Sequence, residues 1–190
     1  MRHIRFRPPK GLQLGPMKGH SRAFFKLPEP LEQFGRRKHY SQDRKLGYSM
    51  EQMFDIAADV ARYKEFVPWC IGSKVVRRID ERCNEVELTV GFPPIVERYV
   101  STVTLVQPYL VKSVSSETRL FKQLISLWQF YAKDNDPPNT CNLSFSVMYE
   151  FQSPLHAAIA SLFFEEVTSK MVTAFMKRAR NLYGPPSMEM

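Results

Sequence analysis

The side chains that most often carry catalysis are few in this 190-residue chain and lie far apart. His156 is the single histidine after residue 39, and Cys70, Cys83 and Cys141 show no CxxC spacing. A zinc site or a disulfide framework requires closely spaced ligands or thiols. The sequence also lacks a glycine-rich phosphate loop, a nucleophile elbow and paired carboxylates. We therefore predict neither a metal centre nor a catalytic cofactor, and we expect buried free thiols in a reducing compartment.

Aromatic and apolar residues are abundant, with 14 Phe in the chain, and they could line a binding pocket. Phe66, Val67, Pro68 and Trp69 form an aromatic segment stiffened by proline, which we place at a pocket mouth. Closing one end of the core is the alternative role for Trp69. Plain core packing is the alternative for the other candidate lining residues, which are large apolar side chains of the predicted strands and the long helix: Phe92, Phe121, Leu124, Trp128, Phe164, Met171 and Phe175.

Two further features suggest contact with a surface outside the fold. An apolar hairpin tip, where turns are ordinarily polar, is formed by Phe92, Pro93, Pro94 and Ile95. It is a candidate membrane or partner contact, and folding back onto the core is the alternative. Arg98 and Lys122 are candidate donors to a ligand carbonyl or a lipid phosphate, unless they are ordinary solvated charges of their strands.

Six stretches show the composition and alternation of β-strands. They are Gly72–Asp80, Glu85–Phe92, Val96–Val106, Leu110–Ser116, Ile125–Ala132 and Cys141–Phe151. Alternation is clearest in the second and the last of them, where apolar residues occupy every second position. A sheet with one solvent-exposed face, one buried face and short connections is predicted to be an antiparallel meander.

Helix signals precede and follow these strands. Ser49 and Gln52 have the spacing of a capping box, and the helix they begin is expected to bury Met53, Phe54, Ala57 and Val60. A second helix is predicted from Ser153-Pro154 to Gly184, about 45 Å long at 1.5 Å per residue. Its apolar stripe consists of Ile159, Phe163, Val167, Met171, Ala174, Phe175, Ala179 and Leu182.

These elements predict an α+β fold in which a curved antiparallel β-sheet wraps around one long C-terminal α-helix, a helix-grip arrangement. A curved sheet and a single straight helix cannot fill all the space between them, so we expect an apolar cavity. No stretch is long enough to cross a bilayer, because the longest nearly apolar run, Ala157 to Phe164, has eight residues.

The positive charge of the chain is confined to its N-terminal part. The formal net charge is +8, and residues 1–38 contain ten Lys/Arg but two Glu, which leaves the remaining residues neutral overall. Nucleic-acid binding is therefore not expected of the body and remains open for the tail. We divide the chain into a basic tail (1–39), which is a mitochondrial targeting segment or a docking arm, a domain (40–184) and a short C-terminal tail (185–190).

Several strings, in order and at similar spacing between residues 44 and 184, resemble one known family. They include Phe66-Val67-Pro68-Trp69-Cys70, Glu97-Arg98-Tyr99, Leu120-Phe121-Lys122-Gln123-Leu124, Ser153-Pro154-Leu155 and Phe163-Phe164-Glu165-Glu166-Val167. Together they are similar to the mitochondrial coenzyme Q-binding proteins of the START-like (polyketide cyclase/dehydrase) superfamily. The polar segment 133–138 resembles an insertion, and we expect no effect of it on ligand binding.

The resemblance implies a function as well as a fold. It implies binding of ubiquinone, or of a late precursor, by a chaperone or carrier without established catalysis. It also implies a matrix-side position at the mitochondrial inner membrane, in support of respiratory electron transfer and quinone biosynthesis. Three other roles remain open: association with the ribosome, since bacterial relatives of the family resemble a ribosome-association toxin; catalysis on a quinone precursor; and a structural role in a respiratory complex.

Overall fold

The computed structural model describes residues 36–92, 95–115 and 118–188, without the side chains of residues 92, 95, 155–156 and 158–165. The predictions for the tail up to residue 35, for the tip of the 92–95 hairpin and for the side chain of Phe164 lie outside the described residues.

Within these ranges the chain forms one antiparallel sheet and one long helix. The strands are β1 (Arg37–Leu46), β2 (Cys70–Asp80), β3 (Cys83–Phe92), β4 (Ile95–Val106), β5 (Leu110–Ser115), β6 (Phe121–Tyr131) and β7 (Cys141–Phe151). They pair in the order β1-β7-β6-β5-β4-β3-β2, so that β2 to β7 form a meander. The helices are α1 (Met50–Ala58), a 3-10 turn (Val60–Arg62), α2 (Tyr63–Phe66) and α3 (Pro154–Tyr183). This arrangement confirms the predicted α+β helix-grip class.

The prediction of six strands is wrong by one, because β1 was missed. β1 pairs along its whole length with β7, from Arg37 opposite Glu150 to Leu46 opposite Cys141. Its sequence is mostly polar on both faces, as suits an edge strand that is paired on one side, so it lacks the apolar alternation that identifies a strand. Residues 37–39, which we assigned to the tail, belong to this strand.

The clearest sequence patterns are confirmed. Ser49 caps α1 in a capping box: Gln52 N–H donates to Ser49 Oγ at 3.3 Å, and Ser49 N–H donates to Gln52 Oε1 at 3.0 Å. On β7 the alternating apolar side chains all point into the core, buried at Leu143, Phe145, Val147, Tyr149 and Phe151. Burying one face of each element against the other supplies the main driving force for this fold.

The long helix α3 begins and ends where the sequence predicted. It begins at Pro154 and ends at Tyr183, and Gly184 follows with φ = 86°, a left-handed conformation that glycine adopts without steric cost. Ala174, Phe175 and Ala179 are buried as expected. Leu182 is 51% exposed, contrary to the predicted stripe, because the last turn of the helix is in contact with solvent on that side.

The residues after α3 pack against the start of the domain. Ser187 N–H donates to the carbonyl of Gly47 at 2.8 Å, and the Tyr48 hydroxyl donates to the carbonyl of Gly184 at 2.9 Å. A Cβ atom at Gly47 would lie 2.8 Å from Cβ of Pro186 and 2.9 Å from the backbone N of Met188. Glycine is therefore required at position 47 by the close approach of the C-terminal backbone.

Replacing Gly47 with alanine is expected to lower the free energy of unfolding by about 1–3 kcal/mol, the usual cost of overpacking. Urea unfolding followed by circular dichroism measures this loss. In a chain that ends at Pro185, the same substitution should cost less than half as much, because the clashing residues are absent. An equal loss in the full and the shortened chain would contradict this explanation.

The polar loop between β6 and β7 is connected to β1 through Asp136. Its carboxylate lies 2.6 Å from Lys45 Nζ, and it accepts hydrogen bonds from Lys133 N–H at 2.8 Å and from Asn142 Nδ2 at 2.6 Å. The hydrogen bond from Lys45, followed by that from the Lys133 backbone, lowers the pKa of Asp136 to about 2. The unfolded carboxyl has a pKa near 3.9.

Because the folded pKa of Asp136 is depressed, its contribution to stability is fully present above pH 4 and is lost as the pH falls through 2. We expect Asp136→Asn to lower the urea midpoint at pH 6 and to lower it much less near pH 2. Asp134→Asn, in the exposed part of the same loop, should leave the midpoint unchanged at both values. A difference between wild type and Asp136→Asn that is equal at pH 6 and pH 2 would refute this assignment.

Candidate functional site: an apolar cavity under the long helix

A cavity of about 170 Å³ lies between the inner face of the sheet and α3. Its floor is formed by inward-facing residues of β3 to β7, which include Val103, Val111 and Val147. Its roof is formed by Val167, Thr168 and Met171 of α3. The cavity expected from the helix-grip arrangement is therefore present, and its lining is mainly apolar, as is typical of sites for lipid-like ligands.

The half-buried lining residues include Val67, Pro68 and Trp69 of the segment after α2 and, on the roof, Val167 and Met171 of α3; we refer to these five as the rim. Trp69 has φ = 60°, a left-handed conformation that is unfavourable for a bulky side chain. Its carbonyl accepts a hydrogen bond from Gly91 N–H at 2.9 Å, and Lys170 Nζ lies 5.5 Å from the centre of its ring. Backbone strain of this kind persists where the surrounding structure fixes a residue, often at a functional site.

Most of the predicted lining residues lie where they were expected. Val67, Pro68 and Trp69 are on the rim, Met171 is on the roof, and the floor includes Phe121, Leu124 and Trp128. Their contact with a ligand stays a prediction. Leu124 and Trp128 lie four positions apart on β6, so strand alternation places both on the same, inward face.

Two predicted lining residues lie instead in an aromatic cluster beside the cavity. The Phe175 ring is 4.1 Å from the Trp128 ring and 5.0 Å from that of Phe66, measured between ring centres. Tyr63 completes this cluster at 5.4 Å from Phe175, and Arg178 lies over Phe66 at 5.3 Å. Phe175 is fully buried because α3 contacts the sheet directly at this level, so it supports the end of the cavity without lining it.

Arg98 and Lys122 are on the outer face of the sheet, away from the cavity. Arg98 is 69% exposed and lies 4.0 Å from Glu87, whereas Lys122 is 42% exposed and lies 3.7 Å from Glu150. Their chain neighbours Tyr99 and Phe121 point inward, so alternation directs both cations outward. A hydrogen bond from either side chain to a ligand in the cavity is therefore not supported, and their exposure leaves the predicted membrane contact open.

The sequence analysis missed the polar groups of the cavity. They are the side chains of Tyr63, Cys70, Tyr99, Ser113, Ser126, Tyr149 and Thr168. Alternation along β4 could have identified Tyr99, since it lies two residues after Glu97 and four before Val103 on the buried face. Finding the serines would have required the register between β5 and β6.

The tyrosine hydroxyls near the rim are neutral hydrogen-bonding groups. Burial, followed by the nearby Cys70 thiol, raises the pKa of both Tyr63 and Tyr99 far above the usual value. Burial also raises the pKa of Cys70 itself. Tyr63 donates to the carbonyl of Ala57 at 2.6 Å, whereas Tyr99 makes no side-chain hydrogen bond within the described ranges. These groups therefore retain their protons at physiological pH and add no charge to the cavity.

In the described part of the chain, no group of three or more His, Cys, Asp or Glu residues could hold a metal ion. None of the helices there combines the length and apolar character needed to span a bilayer.

A family model and a solved structure both match this chain. The model of the family "Polyketide cyclase / dehydrase and lipid transport" matches residues 46–176. Among solved structures, the Zhui aromatase/cyclase from Streptomyces sp. R1128 has the same fold, with a TM-score of 0.67 at 13% identity over 79% of this chain and 99% of that one.

Two kinds of curated relative match most of this chain. It is 45% identical to the mitochondrial coenzyme Q-binding protein COQ10 homolog B of Xenopus laevis over 86% of its length, and spans 66% of that relative. It is 32% identical to the ribosome association toxin RatA of Pseudomonas aeruginosa, over 77% of this chain and 98% of the toxin. With the family model covering more than half of its residues, the chain belongs to the polyketide cyclase/dehydrase and lipid transport family.

Proposed function

We propose that this chain binds ubiquinone, or a late precursor of it, in the cavity under α3 and acts as its carrier. The observation that carries the proposal is the cavity itself, which is apolar, contains neutral hydroxyl groups and lies in a chain 45% identical to a protein named for coenzyme Q binding. A substituted quinone ring with an isoprenoid chain has the matching combination of a few oxygen acceptors and a large apolar surface.

The free energy of transferring the isoprenoid tail from a membrane to the protein limits what the tail can contribute to binding. Burial of each CH₂ group is worth about 0.8 kcal/mol relative to water. A bilayer solvates the tail about as well as the cavity does, so this term largely cancels when ubiquinone is transferred from a membrane. Net preference for the protein therefore comes from shape, aromatic contact and hydrogen bonds to the ring. The carrier must also contact the membrane to exchange its ligand.

We place that contact on the surface beside the rim. Ile71 is 61% exposed and Val96 is 54% exposed, and Gly91 lies between them on the outer face of β2, β3 and β4. Val100 extends this apolar patch and Arg98 adds a cation to it. Apolar side chains beside a cation suit an anionic membrane surface. The patch adjoins the 92–95 hairpin, the membrane contact suggested by the sequence.

The cellular role follows from these properties. We propose that the protein is peripheral to the matrix side of the mitochondrial inner membrane, where it supports respiratory electron transfer and quinone biosynthesis. The relative's mitochondrial name supports this location. We propose binding and transfer as the activity, without catalysis, because that relative is named as a binding protein and the described cavity holds no charged acid–base pair.

The test is to purify the full chain without detergent from cells that make ubiquinone and to extract it with organic solvent. Near-stoichiometric quinone, identified by ultraviolet absorbance and mass spectrometry, is the expected result. Transfer of quinone between two liposome populations should then be faster with the protein present. An empty extract, unchanged after incubation with quinone-loaded liposomes, would overturn the proposal.

A second candidate function is ribosome association, favoured by the similarity to a toxin that the chain covers almost completely. The basic tail could bind rRNA through phosphate contacts, which weaken steeply with added salt. Co-sedimentation of the full chain with ribosomes, lost at raised salt and on deletion of residues 1–35, would support this function. The deletion ends at residue 35 so that β1 remains intact.

A further inference from the structure

The floor of the cavity contains two serines that face each other across neighbouring strands. Ser113 on β5 and Ser126 on β6 are direct cross-strand partners. Both line the cavity. Side chains paired in this way have their Cβ atoms about 5 Å apart, so the two hydroxyl groups can contact neighbouring atoms of one ligand.

Apart from Ser115 on β5, the inward-facing neighbours of this pair are apolar. On β5 the inward-facing residue before Ser113 is Val111, which is 2% exposed. On β6 the inward-facing residues on either side of Ser126 are Leu124 and Trp128. Ser113 and Ser126 are half-buried in the middle of the inner face, where the space beside them is the cavity.

Neither serine has a structural role that explains it. Neither hydroxyl makes a hydrogen bond with another described residue, in contrast to Ser73, whose hydroxyl donates to the carbonyl of Ala61 at 2.8 Å and accepts from Lys64 N–H at 3.1 Å. Because neither hydroxyl is taken up by a protein partner, both can donate a hydrogen bond to a ligand that carries oxygen acceptors.

We propose that Ser113 and Ser126 bind the oxygen atoms of the quinone ring, so that the ring enters the cavity first and the isoprenoid tail leaves past the rim. This inference rests on the proposed function. Ubiquinone carries a carbonyl and a methoxy oxygen side by side on one edge of its ring, and the paired hydroxyls can donate one hydrogen bond to each. Trp128, two residues beyond Ser126 on the same face, offers an aromatic surface to the ring.

The size of the cavity favours the same orientation. A volume of about 170 Å³ is too small to enclose an isoprenoid chain of many units. The rim residues Trp69 and Met171 are apolar and half-buried, so they can contact the first isoprene units of a tail that extends outward. The opposite orientation would leave the ring oxygens at the rim and place apolar chain against two hydroxyl groups.

The first test measures affinity with ligands that differ in their oxygen atoms. The full-length double variant Ser113→Ala, Ser126→Ala is compared with wild type for decylubiquinone and for decylbenzene, which has the same tail length and no oxygen. Loss of two hydrogen bonds is expected to weaken decylubiquinone binding about 10- to 100-fold and to leave decylbenzene binding unchanged or tighter. The control variant Ser144→Ala, Ser146→Ala changes the outward face of β7 and should bind both ligands like wild type.

The second test locates the ring with the two tryptophans of the chain, Trp69 at the rim and Trp128 on the floor. Quinone rings quench indole fluorescence at contact. Decylubiquinone should quench the Trp69→Phe variant, which retains Trp128, more strongly than the Trp128→Phe variant, which retains Trp69.

The outcomes separate this inference from the proposed function. Wild-type binding of decylubiquinone with unchanged affinity in the serine double variant would overturn the inference and leave the function intact. Stronger quenching of Trp69 than of Trp128 would also overturn it, because the ring would then lie at the rim. Absence of quinone binding by wild type would overturn both. Thermal midpoints of all variants, expected within a few degrees of wild type, show that a lost affinity is not lost folding.

Discussion

Replacing Leu124 with tryptophan is expected to abolish ligand binding and to leave the protein folded. Leu124 is a half-buried residue on the cavity floor, two residues from Ser126 on the same face of β6. The larger indole would occupy the space that we assign to the quinone ring. Co-purified quinone should fall at least tenfold, and the affinity for added decylubiquinone should fall by a similar factor or more.

The stability of this variant is expected to change little. Overpacking a filled core usually costs about 1–3 kcal/mol, but here the added atoms enter an existing cavity, where new contacts offset the strain. The thermal midpoint of the ligand-free protein should therefore remain within a few degrees of wild type or rise.

Leu127→Trp is the matched control because Leu127 lies on the same strand and faces the outer side of the sheet. It should bind quinone like wild type. Normal binding by Leu124→Trp would show that the ligand does not occupy this cavity. Equal loss of binding in both variants would show that the effect comes from the strand and not from the cavity.

The parts of the fold that the sequence predicted are those in which one element buries one face. On β7, every second residue from Leu143 to Phe151 is apolar and buried, and α3 carries a proline at its start and a glycine after its end. Each signal lies within a single element and reflects one local cause, burial or capping. Together they were sufficient to predict the sheet, the long helix and the cavity between them.

The parts that the sequence did not predict depend on pairing between distant residues. β1 carries mainly polar side chains and is stabilised by backbone pairing with β7 and by contacts such as the ion pair of Arg37 with Glu150. Ser113 and Ser126 become one site through the register of β5 against β6. Register depends on turn geometry and on the whole sheet, so neither serine was distinctive as an isolated polar residue in its strand.

The same reasoning explains why Phe175 was assigned to the cavity. A four-residue apolar spacing shows which face of α3 is buried, but it does not show where along that face the helix contacts the sheet and where it spans the cavity. Met171 and Phe175 share the stripe, yet Met171 lines the cavity and Phe175 packs against Trp128. The position of direct contact is set by the size of residues on facing strands.

Replacing Phe175 with alanine should accordingly destabilise the protein strongly. Phe175 is fully buried and its ring contacts those of Trp128, Phe66 and Tyr63. Removal of a buried phenylalanine ring costs about 3–5 kcal/mol through lost burial and the void left behind. This is a large share of the 5–15 kcal/mol that stabilises a typical domain. Urea unfolding followed by circular dichroism should show the loss, with a thermal midpoint roughly 10 °C lower.

Tyr109→Ala is the control for loss of an aromatic ring, because Tyr109 is 55% exposed. It should change the free energy of unfolding by no more than about 0.5 kcal/mol.

Because Trp128 is held between Phe175 and Phe145, the Phe175 substitution also loosens the end of the cavity. Bound quinone should then recover part of the lost stability in Phe175→Ala, by an amount that grows with ligand concentration. A loss below 1 kcal/mol would contradict the role of Phe175 as the contact between α3 and the sheet.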